Sequence, residues 1–197
     1  MPVRFIDQET GRIIYPEPFE TPPNDAMPNQ GTMTPPAGPL AVNPLLAPAT
    51  LSWDVRHPLK YQMECWTLDQ RTKLAESATL PPTGRLELQS PHLPWRIRIG
   101  PSTPSVFVTV YDVLSTIQEV LGSRIAREEW HLFEDASKLT ILGARATRVQ
   151  SYNPGYQADE LYNHPRRVDS LGEFTQFAGL VPAPRLASLD LEFKRRV

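Results

Sequence analysis

The chain has 197 residues, 22 prolines, one cysteine and a formal net charge of −2 at pH 7. The slightly negative charge argues against a dedicated nucleic-acid binder, and the single cysteine excludes an intramolecular disulfide framework and fits a reducing compartment. Because no stretch reaches the ~20 apolar residues of a membrane span and the N-terminus lacks a secretory-signal pattern, we expect a soluble cytoplasmic or nuclear protein that binds neither nucleic acid nor membrane.

The first fifteen residues predict a small hairpin. The segments VRFI and RIIY flank DQETG, which places a turn at Glu9, Thr10 and Gly11. An isolated hairpin is only marginally stable in water, so residues 1–15 either dock on the main domain or fray.

A proline-rich stretch follows this hairpin. Prolines recur in YPEPFETPPND, AMPNQ, TPPAGPL and NPLLAP, at a density that excludes helix interiors and central strands. We interpret residues 16–42 as an extended arm with polyproline character. Such an arm either serves as a passive tether or is recognised by an aromatic-lined groove of a partner.

Residues 43–197 predict one globular domain that starts with strands. Leu51–Val55 (LSWDV) alternates apolar and polar residues, as a half-buried strand does. Arg85–Leu88 and Trp95–Gly100 repeat this alternation. The polar segments ESATLPPTG and QSPHLP between them are expected to form turns.

The segment SVFVTVYDVLSTIQEVLGS changes from a strand pattern to a helix pattern. Alternating valines predict a strand up to Val110, and apolar residues at steps of three and four then predict an amphipathic helix. Thr109 and Asp112 resemble a capping box at the start of this helix. Gly122 is expected to be its C-terminal cap.

A second helix is expected after Ser123 or Arg124, with acidic residues in its first turns. Whether EDASKLTILGARATRVQSY continues as helix stays open, because Gly143 and β-branched residues weaken that pattern. NPGYQADELYNHP predicts a loop and LASLDLEFKRRV a terminal strand. This order predicts an α+β fold, an antiparallel sheet with two or three helices packed on one face, preceded by the proline-rich arm.

The segment RRVDSLGEFTQFAGLV is the most unusual stretch of the chain. Asp169 is expected to cap nearby backbone amides or to pair with Arg166 or Arg167, so Asp169→Ala is expected to cost about 1–2 kcal/mol as a lost cap. Gly172 permits a positive φ. FTQFAGL predicts a strand whose second phenylalanine points inward, with a bulge or a close backbone approach at Gly179.

Four motifs follow one another along the chain, within a resemblance that spans about residues 43–193: NPLLAPATLSWDVRHP, WRIRI, VFVTVYDVLSTIQEVLGSRIAREEW and RRVDSLGEFTQFAGL. As an ordered set they resemble an uncharacterised domain family that is expanded in mushroom-forming and related fungi. That family carries no established activity. The resemblance therefore implies the extent of the domain and no particular reaction.

No residue pattern indicates a cofactor or metal site. The four histidines lack a second ligand at metal-binding spacing, and Cys65 beside Trp66 is typical of a small packing residue. Glu128 and Glu129 are adjacent, so on a helix they would point about 100° apart. No glycine-rich phosphate loop is present. We expect no cofactor and assign no catalytic residue.

Three hypotheses of function stay open. We favour a non-enzymatic module that binds a protein or peptide, because no coherent catalytic constellation is visible. The second is an enzyme of unrecognised class with a polar site near Asp169 and Arg167, joined by Asp54 and His57 at one end of the sheet. The third is self-assembly through an exposed edge strand such as the N-terminal hairpin. The candidate structural or binding residues are Trp53, Asp54, Arg166, Arg167, Asp169, Gly172, Phe177 and Gly179.

Overall fold

The computed structural model describes residues 5–6, 13–14, 40–102, 105–131, 133–151, 164–183 and 188–195. The chain divides into two compact units, Met1–Thr32 and Met33–Val197. In the first unit, strands β1 (Phe5–Ile6) and β2 (Ile13–Ile14) pair antiparallel within the stretch predicted to be a hairpin. The predicted turn at Glu9, Thr10 and Gly11 and most of the predicted proline-rich arm lie outside the described residues, so the proposed boundaries after residues 15 and 42 stay predictions.

The second unit contains a five-stranded sheet. Its strands lie in the order β4 (Trp53–Asp54), β8 (Gln176–Pro182), β9 (Ser188–Lys194), β6 (Leu86–Ser90) and β7 (Leu93–Ile99). Neighbouring strands are antiparallel, except β9 and β6, which are parallel. A further antiparallel pair joins β3 (Ala41–Val42) to β5 (Thr79–Leu80).

Five helices occur in the described part of this unit: α1 (Leu59–Glu64), α2 (Leu68–Thr72), α3 (Val110–Gly122), α4 (Arg127–Trp130) and α5 (Asp135–Ser151). Short 3₁₀ turns cover Pro44–Leu46, Lys73–Ala75 and Arg167–Leu171. Among the described residues, no helix combines the length and the apolar character needed to cross a membrane.

The predicted α+β class is confirmed. Strands β6, β7 and β9 lie where alternation predicted strands, with Leu189, Leu191 and Phe193 of β9 buried. The sheet departs from the expected antiparallel arrangement at the β6–β9 pair. No tight turn joins these two strands, so β9 takes its direction from its antiparallel pairing with β8.

Helix α3 supplies one side of the hydrophobic core. Its buried apolar residues recur at three- and four-residue steps, as predicted: Val110, Val113, Leu114, Ile117 and Leu121. They belong to one cluster with the inward-facing residues of the sheet, which include Leu86, Leu88, Ile97, Ile99, Phe177 and Leu191. Fully burying each such side chain is worth about 1.5–3 kcal/mol, so this contact contributes substantially to the stability of the unit.

The start of α3 has the predicted capping box. The backbone N–H of Asp112 donates to Thr109 Oγ1 at 3.1 Å, and Asp112 Oδ2 accepts from Thr109 N at 2.8 Å and from Thr109 Oγ1 at 2.7 Å. Ser102 N donates to Asp112 Oδ1 at 3.3 Å. Burial acts to raise the pKa of the Asp112 carboxyl, but the hydrogen bonds from Ser102 and Thr109 outweigh burial and lower it.

Two predictions around α3 are wrong. The alternating valines before the helix do not form a strand: Val106 is 72% exposed, because the chain bends where Ser105 Oγ accepts from Phe107 N and donates to Phe107 O. Gly122 is the last helical residue rather than the C-terminal cap. Ser123 caps the helix in an extended conformation, and its N–H bonds to carbonyl oxygens of the last turn.

The second predicted helix begins later than expected, at Arg127. The preceding residues are extended because Ile125 N donates to Pro165 O at 3.1 Å and Arg124 forms an isolated β-bridge with Arg166. The segment that the sequence left open is helical, as α5, and contains Gly143 in its interior. Most of the predicted loop NPGYQADELYNHP lies outside the described residues.

Elements that the sequence did not predict lie between residues 58 and 80. Helices α1 and α2 occupy a segment that had no assignment, and Thr67 caps α2 through a capping box with Gln70. Strand β5 lies inside ESATLPPTG, which was predicted to be a turn. Pairing with Ala41–Val42 makes this short polar segment a strand, a long-range contact that local composition does not reveal.

Replacing Asp112 by alanine tests the capping box. The change removes both side-chain bonds to Thr109 and the bond from Ser102, so we expect the free energy of unfolding to fall by about 1–2 kcal/mol in urea denaturation followed by circular dichroism. Thr109→Ser keeps the hydroxyl and is the control, expected within about 0.5 kcal/mol of the parent. Equal stability of Asp112→Ala and the parent would contradict this role.

Candidate functional site

Asp169 lies in the 3₁₀ turn Arg167–Leu171 and makes several charge-assisted hydrogen bonds. Its Oδ1 accepts from Arg148 Nε at 2.7 Å, and its Oδ2 accepts from Arg148 Nη2 at 2.8 Å and from Arg166 N at 2.8 Å. Both side chains of the ion pair are only 2% exposed. Gly172, with φ +59°, then turns the chain toward β8, and its N–H donates to Asp169 O. This geometry fits a structural joint between α5 and the turn.

The partner of Asp169 differs from the one expected. Capping of a nearby amide is confirmed by the bond from Arg166 N, but the side-chain partner is Arg148 of α5 rather than Arg166 or Arg167. The sequence left α5 unassigned, so it could not place this arginine. Because the Asp169 carboxylate also neutralises a buried guanidinium, we expect its removal to cost more than a lost cap.

Arg167 contacts a separate group of residues. Its guanidinium pairs with Glu129 of α4 and lies over the Trp95 ring, with Cζ 4.9 Å from the ring centroid. Phe133 meets Trp95 edge-on at 5.8 Å between ring centroids. Burial acts to raise the pKa of Glu129, but hydrogen bonds and the charge of Arg167 outweigh burial and lower it. Arg167 thus fastens the short helix α4 to the sheet.

The Trp53–Asp54 pair has one residue in the core and one in an ion pair. Trp53 lies opposite Phe177 in the sheet, with 6.1 Å between ring centroids, and its Nε1 donates to His57 O at 3.1 Å. Asp54 is buried, against the predicted alternation, because Arg56 donates to both carboxylate oxygens, at 3.0 and 2.6 Å. Burial acts to raise the pKa of Asp54, but the bonds and charge of Arg56 lower it overall.

A cavity of about 330 Å³ lies between the residues that follow Trp53–Asp54 and the residues around the Arg148–Asp169 pair. Its lining includes Arg56 and His57, which follow β4, and Arg148 and Arg166 from α5 and the stretch before the 3₁₀ turn. The carboxylates that pair with Arg56 and Arg148 do not line this cavity. His57 Nε2 lies 3.9 Å from Asp54 Oδ2. The structure therefore brings together part of the predicted set and leaves both carboxylates committed to ion pairs.

The predicted irregularity at Gly179 is confirmed as a β-bulge. The register between β8 and β9 shifts between Phe177 and Gly179, and Gly179 has φ +129°. A Cβ atom built there would lie 2.6 Å from Pro48 Cα and Pro48 N. Phe177 is fully buried, as predicted. Gly179 thus permits the close approach of the segment that precedes β4.

A surface groove, which sequence reasoning missed, runs along α3. It consists of two adjoining depressions of about 650 Å³ each, which share Arg71 and Tyr111. We call them the Val106 depression, with Leu74 and Phe107 in its lining, and the Met63 depression, with Leu59, Ser115 and Gln118 in its lining. Together they form the α3 groove.

The α3 groove exposes apolar side chains beside a cation. Val106 is 72% and Tyr111 46% exposed. The Arg71 guanidinium donates to two backbone carbonyls, Trp66 O at 3.1 Å and Glu64 O at 3.3 Å, and in the described part of the chain no carboxylate pairs with it. These bonds orient the guanidinium at the junction of the two depressions.

The sequence carried a weak signal for this groove. Leu59, Met63 and Trp66 recur at helical spacing in the unassigned segment, and Tyr111 is an aromatic residue on the polar side of the α3 pattern. Neither feature indicates a groove until α1, α2 and α3 are packed together. Within the described residues, no group of three or more His, Cys, Asp or Glu side chains could hold a metal ion.

A comparison with models of protein families gives a match over most of the domain. Residues 51–187 match the model of a family described as a family of unknown function, DUF6699. No curated protein and no solved structure matches the chain. The matched span includes all eight candidate residues named from the sequence and the whole α3 groove.

Gly179→Ala tests the bulge. The added methyl group would overlap the Pro48 backbone at a positive φ, so we expect a loss of about 2–4 kcal/mol in urea denaturation. Gly143→Ala is the matched control, because that glycine lies inside α5 and, apart from its chain neighbours and the backbone of its own helix, no atom lies within 4 Å of the added Cβ. The control should be neutral or up to about 1 kcal/mol more stable. Similar effects of both substitutions would rule out a special backbone at the bulge.

Asp169→Ala tests the buried ion pair. Removing the carboxylate from a buried guanidinium typically costs about 3–5 kcal/mol, more than the 1–2 kcal/mol of a lost cap. The free energy of unfolding from urea denaturation distinguishes the two values. Asp69→Ala breaks an exposed pair with Lys73 and should change stability by less than about 1 kcal/mol. A cost for Asp169→Ala as small as that of the control would show that the pair contributes little.

Proposed function

The chain belongs to the family of unknown function DUF6699, and we propose that it is a non-enzymatic interaction module whose α3 groove binds a peptide segment of a partner protein. The observation that carries this proposal is the pair of depressions joined at Arg71 and Tyr111. Exposed apolar side chains beside an oriented cation are typical of protein-binding surfaces.

The groove has the lining that a peptide site needs. Leu59, Met63, Leu74 and Phe107 supply apolar contact in the two depressions. The lining also contains polar side chains, among them Ser102, Ser105, Thr109, Ser115 and Gln118. The hydroxyl protons of Ser105, Thr109 and Ser115 are donated within the protein, but each of these oxygens keeps a lone pair that can accept from a peptide N–H. Gln118 accepts from Leu59 N through its Oε1, and its Nε2 can donate to a peptide carbonyl. The lining therefore supports a peptide ligand more readily than a purely apolar one.

The enzyme hypothesis receives less support from the geometry. Asp169 accepts three hydrogen bonds, and Arg167 pairs with Glu129 and contacts Trp95. Groups committed in this way hold the fold and are poorly placed to exchange protons with a substrate. His57, 42% exposed beside Asp54, is the remaining titratable member of the predicted set.

Self-assembly through a strand edge is also less favoured. Strand β7 lies at one edge of the sheet, but it carries Pro94, Arg96 and Arg98. Proline and charged residues on an edge strand oppose pairing with another chain.

The proposed interaction module is soluble and lies in the cytoplasm or nucleus, where its free cysteine would stay reduced. The fungal distribution inferred from the ordered motifs also stays a prediction.

Selection of random twelve-residue peptides displayed on phage, against the full chain, tests the proposed function. We expect enriched peptides whose binding, measured by fluorescence anisotropy, falls at least about tenfold in Val106→Glu, because the new carboxylate lies in the apolar depression. Leu139→Glu is the matched control: Leu139 is 71% exposed on α5 and lies outside the groove. Peptides that bind the parent and Val106→Glu equally would overturn the proposal.

A further inference from the structure

We infer that the α3 groove selects an extended peptide in which an acidic residue lies between two apolar residues at alternate positions. This inference rests on the proposed function and adds the chemistry of the ligand. The side chains that carry it are Val106, Tyr111, Met63 and Arg71.

The positive charge of the groove favours an acidic residue at the centre of the peptide. Arg71 lies at the junction of the two depressions, and Lys60 contributes a second cation to the Met63 depression, with Glu64 as the one carboxylate in the lining of either depression. The lining is therefore net positive on a chain whose formal net charge is −2. Because the two bonds to backbone carbonyls orient the Arg71 guanidinium, a peptide carboxylate meets a fixed cation there.

The length of the groove matches a peptide in an extended conformation. Tyr111, Ser115 and Gln118 follow one another along α3, and at 1.5 Å rise per residue the stretch from Tyr111 to Gln118 covers about 10 Å. The Val106 depression continues the groove beyond Tyr111. In an extended peptide, residues one, three and five lie on the same face and span about 13 Å. They can place an apolar side chain in each depression and a carboxylate at Arg71.

A helical ligand fits this lining less well. A helix bonds its backbone groups internally, so its N–H groups cannot donate to the lone pairs that the serine and threonine hydroxyls of the groove retain, and its carbonyls cannot accept from Gln118 Nε2. The pattern apolar–any–acidic–any–apolar is thus the motif that matches both depressions and the junction.

Synthetic peptides test the motif directly. A fluorescein-labelled peptide Ser-Leu-Ser-Glu-Ser-Leu-Ser is compared with peptides in which the central Glu is Gln or Lys, by anisotropy at low salt. We expect the parent protein to bind the Glu peptide about tenfold tighter than the Gln peptide, and the Lys peptide weakest. Arg71→Glu should invert this order, and Arg71→Lys should retain it with a smaller difference. The inverted order would also show that the Arg71→Glu groove is folded.

Equal binding of the three peptides, or no binding of the Glu peptide up to about 1 mM, overturns the inference. Its failure is distinct from failure of the proposed function. If the phage-selected peptides depend on Val106 but lack a central acidic residue and are unaffected by Arg71→Glu, the groove binds peptides and the acidic motif is wrong. If no selected peptide depends on Val106, the proposed function itself is wrong.

Discussion

The buried ion pair between Arg148 and Asp169 holds the longest helix of the described residues to the rest of the unit. Within the described side chains of α5, Ile141 and Arg148 are the buried ones, so the helix brings little apolar surface to the core. A guanidinium buried to 2% exposure is tolerable because the carboxylate accepts two hydrogen bonds from it. The same carboxylate caps the turn before β8 through Arg166 N. One side chain thus sets the position of a helix and the entry into a central strand.

Charged side chains that form ion pairs within the fold are less available to a ligand, and this affects which surface is the better candidate binding site. Three arginines form internal pairs with carboxylates, and each pair includes a residue of the unusual sequence motifs: Arg56 with Asp54, Arg148 with Asp169 and Arg167 with Glu129. Their polar atoms hold strands and helices in place. In the α3 groove, by contrast, Arg71 is oriented by backbone carbonyls and keeps its charge available to a ligand, beside exposed apolar surface. That contrast makes the groove the better candidate for binding.

Predictions from local sequence succeeded where one short segment contains the whole cause. Thr109 and Asp112 are three residues apart and form the capping box without help from elsewhere. Gly179 was expected to allow a bulge or a close approach, and both are present. Predictions failed where the cause lies far along the chain. Residues 79–80 form a strand because they pair with residues 41–42, and the partner of Asp169 lies on a helix that the pattern left open.

The sequence by itself determined the α+β class, the amphipathic helix α3 and the strands with alternating burial, because hydrophobic periodicity reports which face of an element is buried. It also determined that Asp169, Gly172 and Gly179 have special roles in the backbone. Only the tertiary structure decided which arginine pairs with Asp169, that β6 and β9 run parallel, and that α1, α2 and α3 enclose a groove at Arg71 and Tyr111. Ion pairs and grooves are made by residues distant in the chain, and their geometry exists only after the elements have packed.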